Sequence, residues 1–281
     1  MKVYISADIE GISGLVSWSQ CGRPNSEHYD FGWARERMTQ DVNAAIRGAR
    51  AAGATEVVVK DSHGNSKNLL VDRLEPGTRL ISGHGSDANL GMMVGIDSTF
   101  DAAMLIGYHA MAGTARGVME HTISGGVHRM TINGMPAGEI AMSAGVAGVM
   151  GVPIVAISSD LAGCAEASTL IPFVETAIVK TGLGRYMADC LHPSETAPLI
   201  EGAAQRGVQR LGSISPWKPG EPTTIRIEFN RSEEADFAAR MVDVVRVDAY
   251  TIELNQPNYL RAHQQAWSVL SMGGLGASSH D

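Results

Sequence analysis

Short, continuous apolar runs separated by helical stretches constrain this chain more than anything else in it. Val3–Ile9, the β-branched Glu56–Lys60, Thr78–Ser82, Ala102–Ile106, Pro153–Ser158 and Phe173–Val179 read as strands. Between them, a helix rich in Ala, Arg and Met is expected over about Glu27–Ala52, and another from about Glu139 to Met150. Buried strands alternating with helices predict a three-layer α/β/α domain around a mostly parallel sheet. Such sheets bind ligands in the crevice beyond the carboxyl ends of their strands. Asp8, Glu10, His63, His109 and Asp160 all fall at those ends.

The pattern changes around His192. A helix (Ser194–Gly207), an alternating strand (Thr224–Phe229), a helix (Glu233–Val242), a strand-like stretch (Val244–Leu254) and a last helix (about Asn258–Ser271) suggest a smaller α+β unit. The expected division is 1–191 for the α/β domain and 192–281 for the smaller one. Val127–Met135 reads as a hairpin arm, because Asn133-Gly134 is a strong turn signal. Met272–Asp281, rich in Gly and Ser without apolar periodicity, is expected to be disordered.

Composition narrows the partners. A chain of 281 residues with 44% hydrophobic and 19% charged residues has ample material for a core. Its formal charge of −8 weighs against nucleic acid or an anionic membrane surface as a partner. The longest apolar run, Ala144–Ile157, is shorter than the roughly 20 residues of a membrane helix and is split by Pro153. Asp8 and Glu10 interrupt the place where the apolar part of a secretory leader would lie. Cys21, Cys164 and Cys190 show neither zinc-finger nor redox spacing. Together these point to a cytoplasmic protein.

Residues i and i+2 of a strand face the same side, so Asp8 and Glu10 converge on one point. Two buried carboxylates there are costly without a cation. Asp61-Ser62-His63 and Gly107-Tyr108-His109 end two further strands, and Glu139 opens a helix. The resulting O/N donor set, without thiolate, suits Zn²⁺, with Mn²⁺ or Co²⁺ as alternatives, and disfavours Ca²⁺ and Mg²⁺. Five ligands exceed what one catalytic zinc takes, but a bridging carboxylate would let them serve two ions about 3.5–4 Å apart. Asp61 could orient His63 or simply cap its turn. His121 follows a Gly/Ala-rich stretch; it could move protons beside a metal-bound water, or be an ordinary loop histidine. His28, His84, His128, His192, His263 and His280 have no evident convergent partners.

Asp8-Ile9-Glu10-Gly11-Ile12-Ser13-Gly14, Asp61-Ser62-His63, Gly107-Tyr108-His109, Gly117-Val118-Met119 with His121, Gly138-Glu139 and the Val152-Pro153 strand leading to Asp160 resemble one family. It is that of the zinc-dependent D-aminopeptidases of the DppA, or dipeptide-transport-protein, type. The resemblance implies that Asp8 bridges two zinc ions per subunit, Glu10 and His63 completing one set of protein ligands and His109 and Glu139 the other. It implies that His121 is the catalytic nucleophile or general base, that the substrates are short peptides with an N-terminal D-residue such as D-Ala-D-Ala, and that subunits form a ring-shaped homodecamer of two stacked pentamers. Two places depart from the family pattern: Lys60 replaces the Asn that commonly precedes Asp-Ser-His, and Val16–Asn25 carries Trp18, Cys21 and Pro24. The same ligand set would serve an amidase or esterase acting on a non-peptide bond. A non-catalytic dipeptide-binding protein is the alternative from another class.

Overall fold

A computed structural model of the chain describes residues 1–21, 30–83 and 88–278. Twelve strands and six α-helices occur among them. The strands are β1 (Lys2–Ala7), β2 (Glu56–Asp61), β3 (Thr78–Ile81), β4 (Ala102–Ile106), β5 (Val127–Ile132), β6 (Met135–Pro136), β7 (Ile154–Asp160), β8 (Glu175–Gly184), β9 (Met187–Cys190), β10 (Thr223–Phe229), β11 (Val244–Arg246) and β12 (Thr251–Gln256). The helices are α1 (Phe31–Ala51), α2 (Glu139–Val149), α3 (Leu161–Leu170), α4 (Pro193–Gln209), α5 (Ser232–Ala238) and α6 (Tyr259–Ala277). The turn of α1 expected from Glu27 lies outside the described residues, as do His28, His84 and His280.

The main sheet has the order β3-β2-β1-β4-β7-β8-β9. All its pairs are parallel except the terminal β8–β9. Every residue of β4 and β7 is buried, as continuous apolar strands covered on both faces must be. The helices α1 and α4 pack together, and α4 and α3 both lie against β7 and β8. This is the mixed α/β architecture with a mostly parallel sheet that the strand–helix alternation predicts. β1 is an interior strand, with β2 on one side and the central β4 on the other. The strand order therefore reverses between β1 and β4, where open α/β sheets place their ligands.

A second, antiparallel sheet has the order β11-β12-β10-β5-β6. β5 and β6 form the expected hairpin, with Asn133 and Gly134 both left-handed (φ 49° and 80°), the signature of a tight two-residue turn. Sheet membership does not coincide with the expected division at residue 191. β5 pairs with β10, and α4, beyond that point, packs on α1.

Other details differ from expectation for identifiable reasons. Val244–Leu254 is two strands, because Asp248 Oδ1 accepts hydrogen bonds from the Tyr250 and Thr251 amides and turns the chain. Of the segment expected to be disordered, Met272–Ala277 continue α6, and residues 279–281 lie outside the described residues. Two of its glycines are close-packing positions, since a Cβ on Gly273 would meet the Phe229 ring at 2.7 Å and one on Gly276 the Glu233 carbonyl at 2.5 Å. No helix among the described residues is long and apolar enough to cross a membrane.

Candidate metal centre

The chain segments after β1, β2 and β4 meet at the switch point. Gly11 N–H donates to the Gly107 carbonyl at 2.8 Å. A Cβ on Gly11 would lie 1.7 Å from the Tyr108 carbonyl oxygen, so only glycine lets the loop carrying Glu10 settle against the loop carrying His109. Gly107 is left-handed (φ 73°), and its Cα faces the Asp8 carbonyl at a distance that leaves no room for a side chain. The antiparallel sheet brings the start of α2, and so Glu139, into the same crevice.

The five residues expected to bind metal converge, and His121 joins them. Asp8 faces two groups at once. Its Oδ1 lies 3.3 Å from His63 Nδ1, and its Oδ2 lies 3.6 Å from His109 Nε2. Around the first oxygen, His63 Nδ1 is 3.1 Å from Glu10 Oε2. Around the second, His109 Nε2 is 3.3 Å from Glu139 Oε2. His121 Nε2 spans both groups, 4.0 Å from Glu10 Oε1 and 3.7 Å from Glu139 Oε1. Its ring stacks on His109 with centroids 4.0 Å apart and meets Trp18 edge-on at 5.0 Å.

The backbone fixes the ring orientations. His109 Nδ1 lies 2.9 Å from the Ala110 carbonyl and His121 Nδ1 2.9 Å from the Met119 carbonyl. Each Nδ1 then donates to its carbonyl and turns Nε2 to the centre, as a lone pair on His121, whose ring is held neutral. The His121 loop is held against strain: Arg116, Met119 and Ile123 all adopt positive φ (60°, 55° and 62°). Asp160 Oδ2 accepts the Val118 amide at 2.7 Å and Glu139 Oε1 accepts the Ile123 amide at 2.6 Å, pinning the loop on both sides of His121. Asp160 also caps α3, so its place at a strand end serves the loop rather than the centre. Asp61 does not touch the His63 ring. Its carboxylate accepts the amides of Asn68 and Leu69 and the Asn68 side chain, and so shapes the turn that presents His63.

Burial opposes every charge in this cluster, yet Glu10 raises His63 and Glu139 raises His109 well above the ordinary imidazole range, so in the metal-free chain these two rings carry the counter-charge. Burial, then the neighbouring Glu10, push the Asp8 carboxyl up to about 8. Glu10 is also penalised by burial, yet His63 and then His121 hold it well below the usual carboxylate range. Burial, then His109, lower His121, which keeps its ring neutral. Two buried atoms, Glu10 Oε2 and His109 Nε2, make no hydrogen bond although partners stand at 3.1–3.6 Å. Donors crowded at such distances without hydrogen-bond alignment surround common points, which is the requirement of a cation site. Three carboxylates and two imidazoles fit zinc in donor type and number.

A buried lysine missed in the sequence supports the centre from beneath. Lys180, on β8, is 1% exposed and donates to the carbonyls of Glu10 at 2.6 Å, Ile12 at 2.9 Å and Leu15 at 2.5 Å. Burial pushes its pKa down to about 8. All three protons of its ammonium are thus spent on the loop that holds Glu10. Lys180→Met is expected to strand three buried carbonyls and cost about 3–5 kcal/mol of stability. Urea unfolding of the metal-free protein measures it; a loss under about 1 kcal/mol would contradict this support.

Lys60, the departure before Asp-Ser-His, is also buried and donates to the Asp61 carbonyl and to Ser66 Oγ at 2.8 Å. The centre opens into a cleft of about 1280 Å³ whose walls include Trp18, Tyr186, Trp267, Ser124 and Arg185. Of the other histidines, His192 caps α4 and His263 is buried beside Trp267, so both have structural duties.

A mostly parallel α/β sheet with a buried cluster of histidines and carboxylates at its switch point is the arrangement of a metal-dependent enzyme. Comparison with known proteins makes that specific. The family model described as D-aminopeptidase matches residues 1–267, and the chain belongs to this family of enzymes. A curated D-aminopeptidase of Bacillus subtilis (strain 168) is 36% identical over 267 residues, covering 94% of each chain. A solved structure, the Zn-dependent D-aminopeptidase DppA from Bacillus subtilis, a self-compartmentalizing protease, superposes with a TM-score of 0.93 at 34% identity over 100% of both chains.

Proposed function

We propose that this enzyme is a binuclear zinc aminopeptidase that releases an N-terminal D-residue from short peptides such as D-Ala-D-Ala. The observation that carries the reading is the division of the Asp8 carboxylate between two His–carboxylate pairs. Asp8 Oδ1, Glu10 and His63 would hold one ion, and Asp8 Oδ2, His109 and Glu139 the other. Zinc bound there supplies a Lewis acid for the scissile carbonyl and water acidified to a pKa of about 7.

The protein's own groups do the rest. His121, neutral and with its Nε2 lone pair turned inward, accepts a proton during attack and returns it to the leaving amine. The Met119 carbonyl holds the imidazole in the tautomer this needs and steadies its charge once protonated. The cleft, about 1280 Å³, leaves room for a peptide of a few residues. The relative's self-compartmentalizing character supports assembly of this chain into a closed ring, as do the exposed apolar residues Leu183, Tyr186 and Met187 on the β8–β9 edge of the sheet. Three free thiols fit a reducing, cytoplasmic setting.

Metal analysis together with a rate panel on D-Ala-D-Ala, L-Ala-L-Ala and simple amides tests the reading. The expected result is two zinc ions per chain and hydrolysis of the D-dipeptide at least tenfold faster than the L-dipeptide. Preference for simple amides would move the assignment to an amidase using the same centre. One zinc per chain, or equal rates on both enantiomers, would overturn the binuclear or the stereochemical part respectively.

A further inference from the structure

Cys21 faces the ligand cluster although the proposed hydrolysis makes no use of it. Its Sγ, a Glu10 carboxylate oxygen and a His63 ring nitrogen all lie within 4.8 Å of one another. The side chain lines the cleft and is 1% exposed. Its nearest protein acceptors, the Ser17 and Trp18 carbonyls at 3.9 and 4.0 Å, stand at the outer limit of a sulfur hydrogen bond. Independently of the thiol, Glu10 is 1% exposed, and its Oε2, facing His63 Nδ1 of the same trio at 3.1 Å, makes no hydrogen bond. Sulfur, oxygen and nitrogen therefore border one part of the cleft, the Glu10 oxygen with no hydrogen bond and the thiol held only by long contacts to carbonyls. Ligands of a tetrahedral zinc, at 2.0–2.3 Å from the metal, stand about 3.3–3.8 Å from one another. Ligation would draw these three atoms together from separations of up to 4.8 Å.

We propose that Cys21 is a thiolate ligand of the ion held by Glu10 and His63. With Asp8 Oδ1, 3.3 Å from His63 Nδ1, that ion has four protein donors. The inference rests on the metal-centre reading above and makes its two halves unequal. The other half, Asp8 Oδ2, His109 and Glu139, keeps three donors and so an open position. Closed zinc sites are the structural kind, and sites with an open position are the catalytic kind. His121 Nε2 stands closer to the open half, 3.7 Å from Glu139 against 4.0 Å from Glu10.

In the metal-free protein, burial and the carboxylates of Glu10 and Asp8 hold the thiol protonated. A divalent ion offsets those same carboxylates. On ligating such an ion Cys21 would give up its S–H proton to bulk water, as thiols generally do when they coordinate. A sulfur donor also biases the half-site toward zinc over manganese or magnesium.

Cobalt(II) loading of the metal-free, full-length protein reads this directly. The expected spectrum of the wild type combines visible d–d bands with a near-ultraviolet sulfur-to-cobalt charge-transfer band. Cys21→Ser should keep the d–d bands and lose the charge-transfer band, whereas Cys190→Ser, altering an exposed thiol, should keep both. Competition with a chromophoric chelator should show the tighter zinc equivalent weakened at least about tenfold in Cys21→Ser, the lower end of what losing even an outer-shell partner costs. Wild-type d–d bands without the charge-transfer band would overturn the Cys21 assignment and leave the metal centre standing, and this needs no variant to fold. A charge-transfer band surviving Cys21→Ser would overturn it equally. Absence of stoichiometric cobalt binding would sink the metal-centre reading and this inference together.

Discussion

Replacing His121 with alanine is expected to lower kcat by about 10²–10⁴-fold while zinc content stays at the wild-type level. The separation follows from geometry. His121 Nε2 stands 3.7–4.0 Å from single oxygens of Glu10 and Glu139, whereas His63 and His109 each approach Asp8 and a second carboxylate at 3.1–3.6 Å. Its removal therefore leaves both proposed ligand groups complete. It also leaves a gap beside the His109 ring, so loss of packing must be told apart from loss of proton transfer. The pH profile does this. In the wild type, kcat/KM should fall on the acid side as His121 protonates, below the ordinary imidazole range because burial and His109 lower its pKa. In His121→Ala that limb should vanish from the residual activity; a merely structural role would scale the whole profile and keep its shape. A variant with near-normal kcat would remove His121 from the mechanism.

The site was legible in the sequence because its parts obey local rules. Two carboxylates spaced i and i+2 at a strand end must share a face, and His63 and His109 end strands that a parallel sheet sets beside the first. Glu139 was legible as the first residue of a helix. What stayed hidden depends on partners without side-chain identity or on distant pairings. Lys180 sits in an otherwise apolar run, but its acceptors are backbone carbonyls, which any sequence supplies. β5 joins β10 across roughly ninety intervening residues, a register that no local pattern encodes. α3 is composed largely of small residues, with no strong apolar stripe to mark it. The glycines of α6 imitate a flexible tail because composition does not reveal what packs against them. Cys21 belongs with these, since its relation to Glu10 and His63 exists only once the chain after β1 folds back over the centre.

Asp8→Asn separates the two roles of the carboxylate, holding metal and burdening the metal-free fold. Asparagine keeps the shape of the side chain and removes the charge facing both His–carboxylate pairs. Zinc content is expected to fall from two equivalents to one or fewer, with activity lost, because Asp8 is the carboxylate set between the two His–carboxylate pairs. The metal-free protein should behave oppositely. Burial and Glu10 raise the Asp8 carboxyl from an unfolded value near 4 to about 8, so between these pH values the folded state binds the extra proton. Stability from this group is fully present below the unfolded pKa and is lost as pH rises through the folded one. The slope is at most about 1.4 kcal/mol per pH unit across that window. Thermal unfolding of the chelator-treated wild type should therefore weaken from pH 5 to pH 8, and Asp8→Asn, which cannot ionise there, should show a flatter profile and equal or higher stability at pH 8. Saturating zinc should reverse the order: at a thousandfold excess over Kd a bound ion adds about 4.1 kcal/mol to the wild type and little to the variant. Parallel pH slopes for the two metal-free proteins would show that Asp8 is not the group carrying this strain, and zinc retained at two equivalents would show that it does not join the two halves of the centre.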